Sequence, residues 1–199
     1  EVKNMEKLTT KDLVTIGVYS AIFFIINLIV MMISGIAPVL WLGMAPILAL
    51  LCGVIYMMLI TKVQKFGPVL IMGMIVAVIY FATGMFTWLI LATFAVCGIA
   101  AELIRYAFGY QSFKGNLAAY CVFALGIIGS PLPLWVMGDS FINSILEAGM
   151  DPSYVDTMQT MISGWSLAAV IIATIIAALI GGLIAKNMLK KQMKKGKIC

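Results

Sequence analysis

Residues 13–34 read LVTIGVYSAIFFIINLIVMMIS and contain no charged side chain. An α-helix rises about 1.5 Å per residue, so a helix of this length crosses a hydrocarbon core of roughly 30 Å. Lys3, Lys7 and Lys11 precede the stretch, and the next basic residue along the chain is Lys62. Because basic residues stay on the cytoplasmic side of a membrane, we predict that this first helix runs from the inside to the outside.

Small residues mark one face of this helix. Gly17 and Ala21 are four positions apart and share a face, with Ser20 beside them. In lipid there is little hydrophobic drive between helices, so association depends on the close packing that small side chains allow. The pattern predicts that another helix docks here, either from a partner protein or from the same bundle.

The composition is typical of an integral membrane protein. Of the 199 residues, 63% are hydrophobic and 11% are charged, whereas a soluble domain is about a quarter charged. The mean hydropathy is +1.12. The net charge of +5 comes from residues that flank apolar segments, so it indicates membrane topology and lipid headgroups rather than nucleic-acid binding.

The apolar segments predict an all-α fold, a bundle of six transmembrane helices that forms a single domain over residues 1–199. The predicted helices are 13–34, 44–61, 69–82, 86–106, 117–137 and 165–185, followed by a basic cytoplasmic tail, 186–199. All 13 lysines and arginines fall in the N-terminal lead, in two predicted inner loops with their flanks, or in the tail. This asymmetry predicts six crossings with both termini inside the cell.

Three features distinguish the outer connections. Residues 35–43, GIAPVLWLG, are too apolar for a solvated loop and are predicted to pack over the mouth of the bundle. Residues 129–133 interrupt the fifth helix with Gly129, Pro131 and Pro133, and irregular backbone at membrane depth needs protein or a water-filled cavity around it. Residues 138–164 are acidic, with two amphipathic pieces, and are predicted to form an outer lid.

The sequence lacks the residue types and motifs that an enzyme or a metal site would need. The sequence has no histidine and no nucleotide-binding motif, so we predict no catalytic residues, no metal and no cofactor in this chain. Cysteines at positions 52, 97 and 121 lie in apolar segments without ligand spacing, and we expect them to be core residues. Any use of ATP would belong to another protein.

Three polar side chains fall within apolar helices. Glu102 and Arg105 lie three apart near the predicted inner end of the fourth helix, where they can pair or extend to the interface. A contact with a cytoplasmic partner is the other interpretation, because charges in a membrane mark functional sites. Asn27 can hydrogen-bond to a neighbouring helix or contact a ligand.

Aromatic and polar residues gather at the predicted outer end. They are Trp41, Tyr80, Thr87, Trp88, Trp135, Asp139 and Asn143. One interpretation is a belt of aromatic side chains at the membrane interface. The other is a substrate-binding pocket in which aromatic rings stack on a small ring and a few polar groups orient it.

The opening KLTTKDLVTIGVYSAIFFIINLI, residues 7–29, resembles the Trep_Strep branch of the S components of energy-coupling factor (ECF) transporters. The resemblance in topology extends over the whole chain, because the family also has six helices and no ATPase of its own. It implies a vitamin-binding membrane protein with an outward-facing cavity, closed by the three outer loops. It also implies a bacterial plasma-membrane location and, as partners, a transmembrane coupling subunit with two ATPase subunits that use ATP.

The resemblance further implies a docking motif, alanine-x-x-x-alanine, on the first helix. Gly17 replaces the first alanine and Ala21 matches the second. The S component is expected to rotate within the membrane once it has docked. The outer set contains Asp139 but no cation, which disfavours a substrate carboxylate or phosphate and favours a neutral or weakly basic heterocycle, such as a pyridoxine-like or hydroxymethylpyrimidine-like compound. The alternative is a structural or channel-forming homo-oligomer without a ligand.

Overall fold

The computed structural model describes residues 7–84 and 87–194, with side chains as far as residue 190. Every regular element within these residues is a helix. The helices are α1 (Thr10–Ser34), α2 (Pro38–Leu42), α3 (Met44–Leu51), α4 (Gly53–Lys62), α5 (Pro68–Ala82), α6 (Leu89–Phe108), α7 (Phe113–Leu125), α8 (Pro133–Val136), α9 (Asp139–Glu147), α10 (Pro152–Met161) and α11 (Gly164–Lys194).

Three of these helices are long and apolar enough to cross a membrane, namely α1, α6 and the Gly164–Lys190 part of α11. The pair α3 and α4 makes a fourth if the two are counted as one bent span. The shorter apolar helices are α5 and Phe113–Gly129. The chain is therefore a helical membrane protein, and six crossings with both termini inside remain a prediction.

Lys65 and Lys186 lie at the same end of the bundle. Thr9 caps α1 in a capping box with Asp12, and Lys65 of the α4–α5 connection forms an ion pair with the Asp12 carboxylate at 2.9 Å. Lys186 of α11 lies over the ring of Phe113, 4.3 Å from its centroid. We call this the basic end, and the opposite end, where α1 and α5 finish and α6 begins, the cavity end.

The second predicted helix is bent by 44° between α3 and α4. The hydroxyl of Tyr120 on α7 donates a hydrogen bond to the carbonyl of Ala49, which in a continuous helix would accept from the N–H of Gly53. A side chain that enters the hydrogen-bond ladder of a helix is a recognised cause of a kink. The bend is thus a tertiary effect of α7.

Gly53 and Gly181 let two helices touch through their backbones. A Cβ atom on Gly53 would lie 2.6 Å from the carbonyl carbon of Gly181. A Cβ atom on Gly181 would lie 2.5 Å from the carbonyl oxygen of Leu50. Because the neighbouring atoms belong to backbone, no side-chain rotation can relieve these contacts. The packing of α4 against α11 therefore requires glycine at both positions.

Gly53→Ala should lower the free energy of unfolding by about 1–3 kcal/mol, the usual cost of overpacking a core. Gly17→Ala is the matched control, because nothing lies within 4 Å of a Cβ atom there. Alanine is preferred to glycine in a helix by about 1 kcal/mol, so the control should be neutral or stabilising. Unfolding of both variants by SDS in mixed micelles measures the difference, and equal effects would contradict the backbone contact.

Several helix bounds differ from the prediction. The fourth helix begins at Leu89 rather than 86, and residues 85 and 86 lie outside the described part of the chain. The fifth begins earlier, at Phe113, and gives way after Leu125 to a 3-10 turn, Gly126–Gly129, and then to α8. Pro131 and Pro133 cannot donate hydrogen bonds to a continuous helix, as the sequence predicted.

The last helix continues well beyond residue 185. It extends to Lys194, so residues 186–194 of the predicted tail are helical, while 195–199 lie outside the described residues. Lysine, glutamine, methionine and leucine are good helix formers, and charge alone does not end a helix.

A second apolar cluster closes the cavity end. It consists of Leu134, Phe141, Ile142, Val155 and Met158, with Trp41, Trp135 and Tyr154 packed against them. The Tyr154 hydroxyl donates to the carbonyl of Ser34 at 3.2 Å, which ties α10 to the end of α1. The two amphipathic pieces of the long acidic connection are helical, as predicted, and form α9 and α10.

Candidate functional site

A cavity of about 630 Å³ lies at the cavity end of the bundle. Three connections line it: the turn after α1 with α2, the turn between α5 and α6, and the helices α9 and α10. The lining residues include Met31, Gly35, Trp41, Gly84, Thr87, Phe141, Ser144, Ile145, Ala148, Met150 and Tyr154. The volume suits a small organic molecule, since ligand pockets measure roughly 300–1,000 Å³.

The described lining of this cavity carries no charged side chain. Burial raises the pKa of the Tyr154 phenol, which therefore stays neutral. The nearby Asp151 is exposed and caps α10, where hydrogen bonds from the hydroxyl and the N–H of Ser153 lower the pKa of its carboxyl. Asp151 does not line the cavity. The site thus presents aromatic rings, thioethers and hydroxyls to a ligand, without a fixed charge.

One residue of the lining, Thr87, has an unpartnered hydroxyl. The Thr87 Oγ1 atom is buried and has no hydrogen-bond partner among the described residues. A buried hydroxyl without a partner is costly. A ligand that hydrogen-bonds to Thr87 would remove that cost.

Two of the seven residues predicted for an outer pocket line this cavity, Trp41 and Thr87. Trp88 follows Thr87 directly, but its side chain is 58% exposed and lies outside the lining. Trp135 packs in the second apolar cluster and donates its indole N–H to the carbonyl of Ser163 at 3.1 Å. Tyr80 lies deeper in the bundle.

The remaining two predicted residues lie on the wrong face of α9. Asp139 and Asn143 are exposed and do not line the cavity, whereas Phe141, Ser144 and Ile145 do. Their spacing follows the helical period, which places positions three and four apart on one face. These three residues were not predicted as site residues, although the apolar spacing of α9 was a signal that could have identified them.

A much smaller cavity, of about 10 Å³, lies inside the bundle. Asn27, Tyr80 and Ser130 supply its polar walls, and the remaining lining is apolar: Met44, Ile90, Phe94 and Ile127. The Asn27 amide donates to the carbonyl of Phe23 on its own helix at 2.7 Å, and it approaches the Cys52 sulfur at 3.9 Å. Its strong hydrogen bond is therefore within α1, and its side chain faces the small cavity.

Among the described residues, nothing packs closely against Gly17 on the small-residue face of α1. Gly17 and Ala21 are exposed, and nothing lies within 4 Å of a Cβ atom built on Gly17. Ser20 differs, because it is 1% exposed and donates its hydroxyl to the carbonyl of Ile16 at 2.8 Å. Ser20 thus belongs to the interior, and the prediction that it shares the docking face is wrong in geometry.

A model of a protein family described as "Hypothetical bacterial integral membrane protein (Trep_Strep)" matches residues 10–195. The chain belongs to the Trep_Strep family. No curated protein and no solved structure matches it. The family description agrees with the several apolar helices seen here, and it names neither a ligand nor an activity.

At the basic end of this Trep_Strep chain, Glu102 and Arg105 form a fully buried ion pair. Both side chains are 0% exposed, and the distance from Arg105 Nη1 to Glu102 Oε2 is 2.8 Å. The second carboxylate oxygen accepts the N–H of Val69, at the start of α5, at 2.7 Å. The predicted pairing is present, and neither side chain extends to the interface.

Arg105 also binds the surrounding connections. Its guanidinium donates to the carbonyls of Val63 and Lys65 at 3.3 and 3.4 Å and to Oδ1 of Asn116 on α7 at 3.3 Å. It lies 5.2 Å from the centroid of the Tyr110 ring. These bonds join α6 of the Trep_Strep fold to the α4–α5 connection and to α7, which favours the structural interpretation of the pair.

Among residues 7–84 and 87–194, no three cysteine, aspartate or glutamate side chains are grouped so that they could hold a metal ion. Cys52, Cys97 and Cys121 are free thiols within apolar helices.

Proposed function

We propose that this Trep_Strep protein is the substrate-binding S component of an ECF-type importer in the bacterial plasma membrane. It captures a small molecule from outside and delivers it through a coupling subunit. The observation that carries the proposal is the uncharged cavity of about 630 Å³, because all three connections at one end of the bundle contribute to its walls. A binding protein that takes its ligand from one side of a membrane needs this arrangement.

The proposal includes the orientation. Six apolar segments cross the membrane with both termini inside, and the basic end faces the cytoplasm. The cavity then opens to the outside. The chain itself performs no catalysis and holds no cofactor, and two partner ATPases supply the energy from ATP.

The docking partner binds the exposed face of α1. Gly17 and Ala21 lie in the half of α1 nearer the basic end, and the exposed side chains of Leu13, Val14 and Val18 surround them. A flat apolar strip with a groove at small residues is the surface that a helix packs against in lipid. Binding and docking thus use different ends of the same helix, since Met31 of α1 lines the cavity.

The ligand is a vitamin or a small heterocyclic precursor, such as a pyridoxine-like or hydroxymethylpyrimidine-like molecule. Trp41, Phe141 and Tyr154 offer rings for stacking, and Thr87 and Ser144 offer hydroxyls. Asp139 does not line the cavity, so the weakly basic character expected from the sequence loses its support. A neutral ring compound fits best.

Capture is tested by extracting small molecules from the purified protein and identifying them by mass spectrometry. The identified compound, or pyridoxine, is then titrated by calorimetry. Trp41→Ala should weaken binding by about 1–3 kcal/mol, or roughly five- to 150-fold, because a large buried aromatic contact is lost. Trp88→Ala is the matched control and should bind normally, since Trp88 is exposed and outside the lining.

The opposite pattern, with binding that depends on Trp88 and not on Trp41, would show that the ligand does not occupy this cavity. The second candidate function is a homo-oligomeric structural or channel-forming subunit, which the exposed Gly17 and Ala21 face would also serve. Affinity purification separates the two functions. Recovery of the chain with copies of itself alone, free of ATPase and of small molecules, supports the second.

A further inference from the structure

The small cavity lies directly beneath the large one. Three segments line both cavities. On each of them, the residue that lines the large cavity lies about one turn nearer the cavity end than the residue that lines the small cavity. The pairs are Asn27 with Met31 on α1, Tyr80 with Gly84 at the end of α5, and Ile90 with Thr87 at the start of α6. One helical turn rises about 5.4 Å. The two cavities are therefore stacked along the bundle.

A polar group in the lining of the small cavity has no partner among the described residues. Ser130 is 2% exposed, and its hydroxyl has no hydrogen-bond partner among the described residues. It lies between the 3-10 turn and α8, where the two prolines have broken the helix. Asn27, 3% exposed, lines the same cavity from α1. Buried polar side chains are normally paired, so the unpaired Ser130 hydroxyl indicates a missing occupant, whereas the Asn27 amide already donates to the carbonyl of Phe23.

The size of the small cavity limits that occupant. A space of about 10 Å³ holds one water molecule or a group of similar size, such as a hydroxyl or an amide nitrogen. The charge of the walls limits it further, because the described lining of both cavities contains no ionised side chain. A charged group placed there would lose its hydration without gaining a counter-ion.

We propose that the small cavity is the deep polar end of the binding site and selects ligands by one uncharged hydrogen-bonding group. The apolar or aromatic body of the ligand occupies the large cavity, and its hydroxyl or amide enters between Asn27 and Ser130. When the site is empty of ligand, a water molecule takes that place. This inference rests on the proposed capture of a small molecule in the large cavity.

Thiol modification tests whether the two cavities communicate. Ser130→Cys is made in a protein whose native cysteines are replaced by alanine, and it is exposed to hydroxyethyl methanethiosulfonate, a small neutral reagent. Thr174→Cys is the matched control, because Thr174 is 0% exposed and lines neither cavity. We expect Ser130→Cys to react at least about tenfold faster, since displacement of a few side chains between the two cavities gives access, whereas Thr174→Cys needs local unfolding of the bundle.

Obstruction of the large cavity tests the route. Ala148→Trp fills part of that cavity and should slow the modification of Ser130→Cys while leaving the rate at Thr174→Cys unchanged. Asn27→Cys gives a second position on the opposite wall if Ser130→Cys does not fold. A rate at both positions no higher than that of the control would show that the small cavity is sealed and would overturn the inference.

Charged reagents test the selection. Aminoethyl and sulfonatoethyl methanethiosulfonate carry opposite charges and undergo the same reaction. The rate of each reagent at Ser130→Cys is divided by its rate at Asn143→Cys, which is exposed on α9. This ratio should be at least about a hundredfold lower for both charged reagents than for the neutral reagent. Equal relative rates would refute charge selection. A sealed small cavity would leave Trp41-dependent capture intact, so the two failures are distinguishable.

Discussion

Gly17→Leu combined with Ala21→Leu should abolish assembly with a coupling subunit, and uptake with it, while leaving the fold and ligand affinity intact. The two positions are about 6 Å apart along α1, and their side chains are exposed. Leucine at both would hold a partner helix away and remove the close packing on which association in lipid depends. We expect assembly to weaken at least about a hundredfold, which corresponds to about 3 kcal/mol.

Gly17 itself and a second helix face provide matched control variants. Gly17→Ala keeps the face small and should assemble normally. Ala169→Leu with Ala173→Leu places the same two leucines on an exposed small-residue face of α11, and it should also assemble normally. Co-purification with the ATPase and uptake by cells measure assembly, and calorimetry of the isolated chain measures ligand affinity. If assembly were lost only with Ala169→Leu and Ala173→Leu, the docking face would lie on α11 and not on α1.

Arg105→Met should be the most destabilising single change at the basic end. Removing one partner of a buried ion pair leaves the other charge uncompensated, at a cost of about 3–5 kcal/mol. Here the carboxylate of Glu102 would remain at 0% exposure, and the carbonyls of Val63 and Lys65 would lose a donor. SDS unfolding in mixed micelles measures the loss of stability.

A double-mutant cycle separates the pair from its surroundings. Glu102→Gln keeps an acceptor for the N–H of Val69 but carries no charge, so Glu102→Gln with Arg105→Met should be more stable than Arg105→Met alone. Lys114→Met is the control, because Lys114 is exposed near the same end, and its effect should stay within about 0.5 kcal/mol. A mild effect of Arg105→Met, close to that of Lys114→Met, would refute the structural role of the pair.

Hydropathy and helix breakers are local properties, and they predicted that the chain is helical and the approximate positions of the long apolar helices α1, α6 and α11. The interruption at Pro131 and Pro133 follows from the missing N–H groups. The bend between α3 and α4 could not be predicted in this way. It depends on Tyr120, which is 71 residues away from the carbonyl that it binds.

The cavity was only partly predictable for a related reason. Aromatic and polar composition indicates which end of a bundle can bind a ligand, but the rotation of each helix decides which side chain lines the site. Thr87 and Trp88 are adjacent, yet only Thr87 lines the cavity, and the α9 residues that do so have helical spacing from Phe141. The position of Asn27 and Ser130 beneath that cavity depends on how separate segments pack together, so the local sequence does not predict it.

The spacing of Glu102 and Arg105 also bears on how the protein is made. Helices enter a bilayer in the order of synthesis, and a lone charge at a helix centre costs about 2.5–3.5 kcal/mol on insertion scales. Three residues apart, the two charges neutralise one another within a single turn as soon as α6 forms. The carbonyls of Val63 and Lys65 have already been synthesised by then, whereas Asn116 follows later. Most partners of the Arg105 guanidinium therefore precede α7 in the chain, and Asn116 adds the last of them.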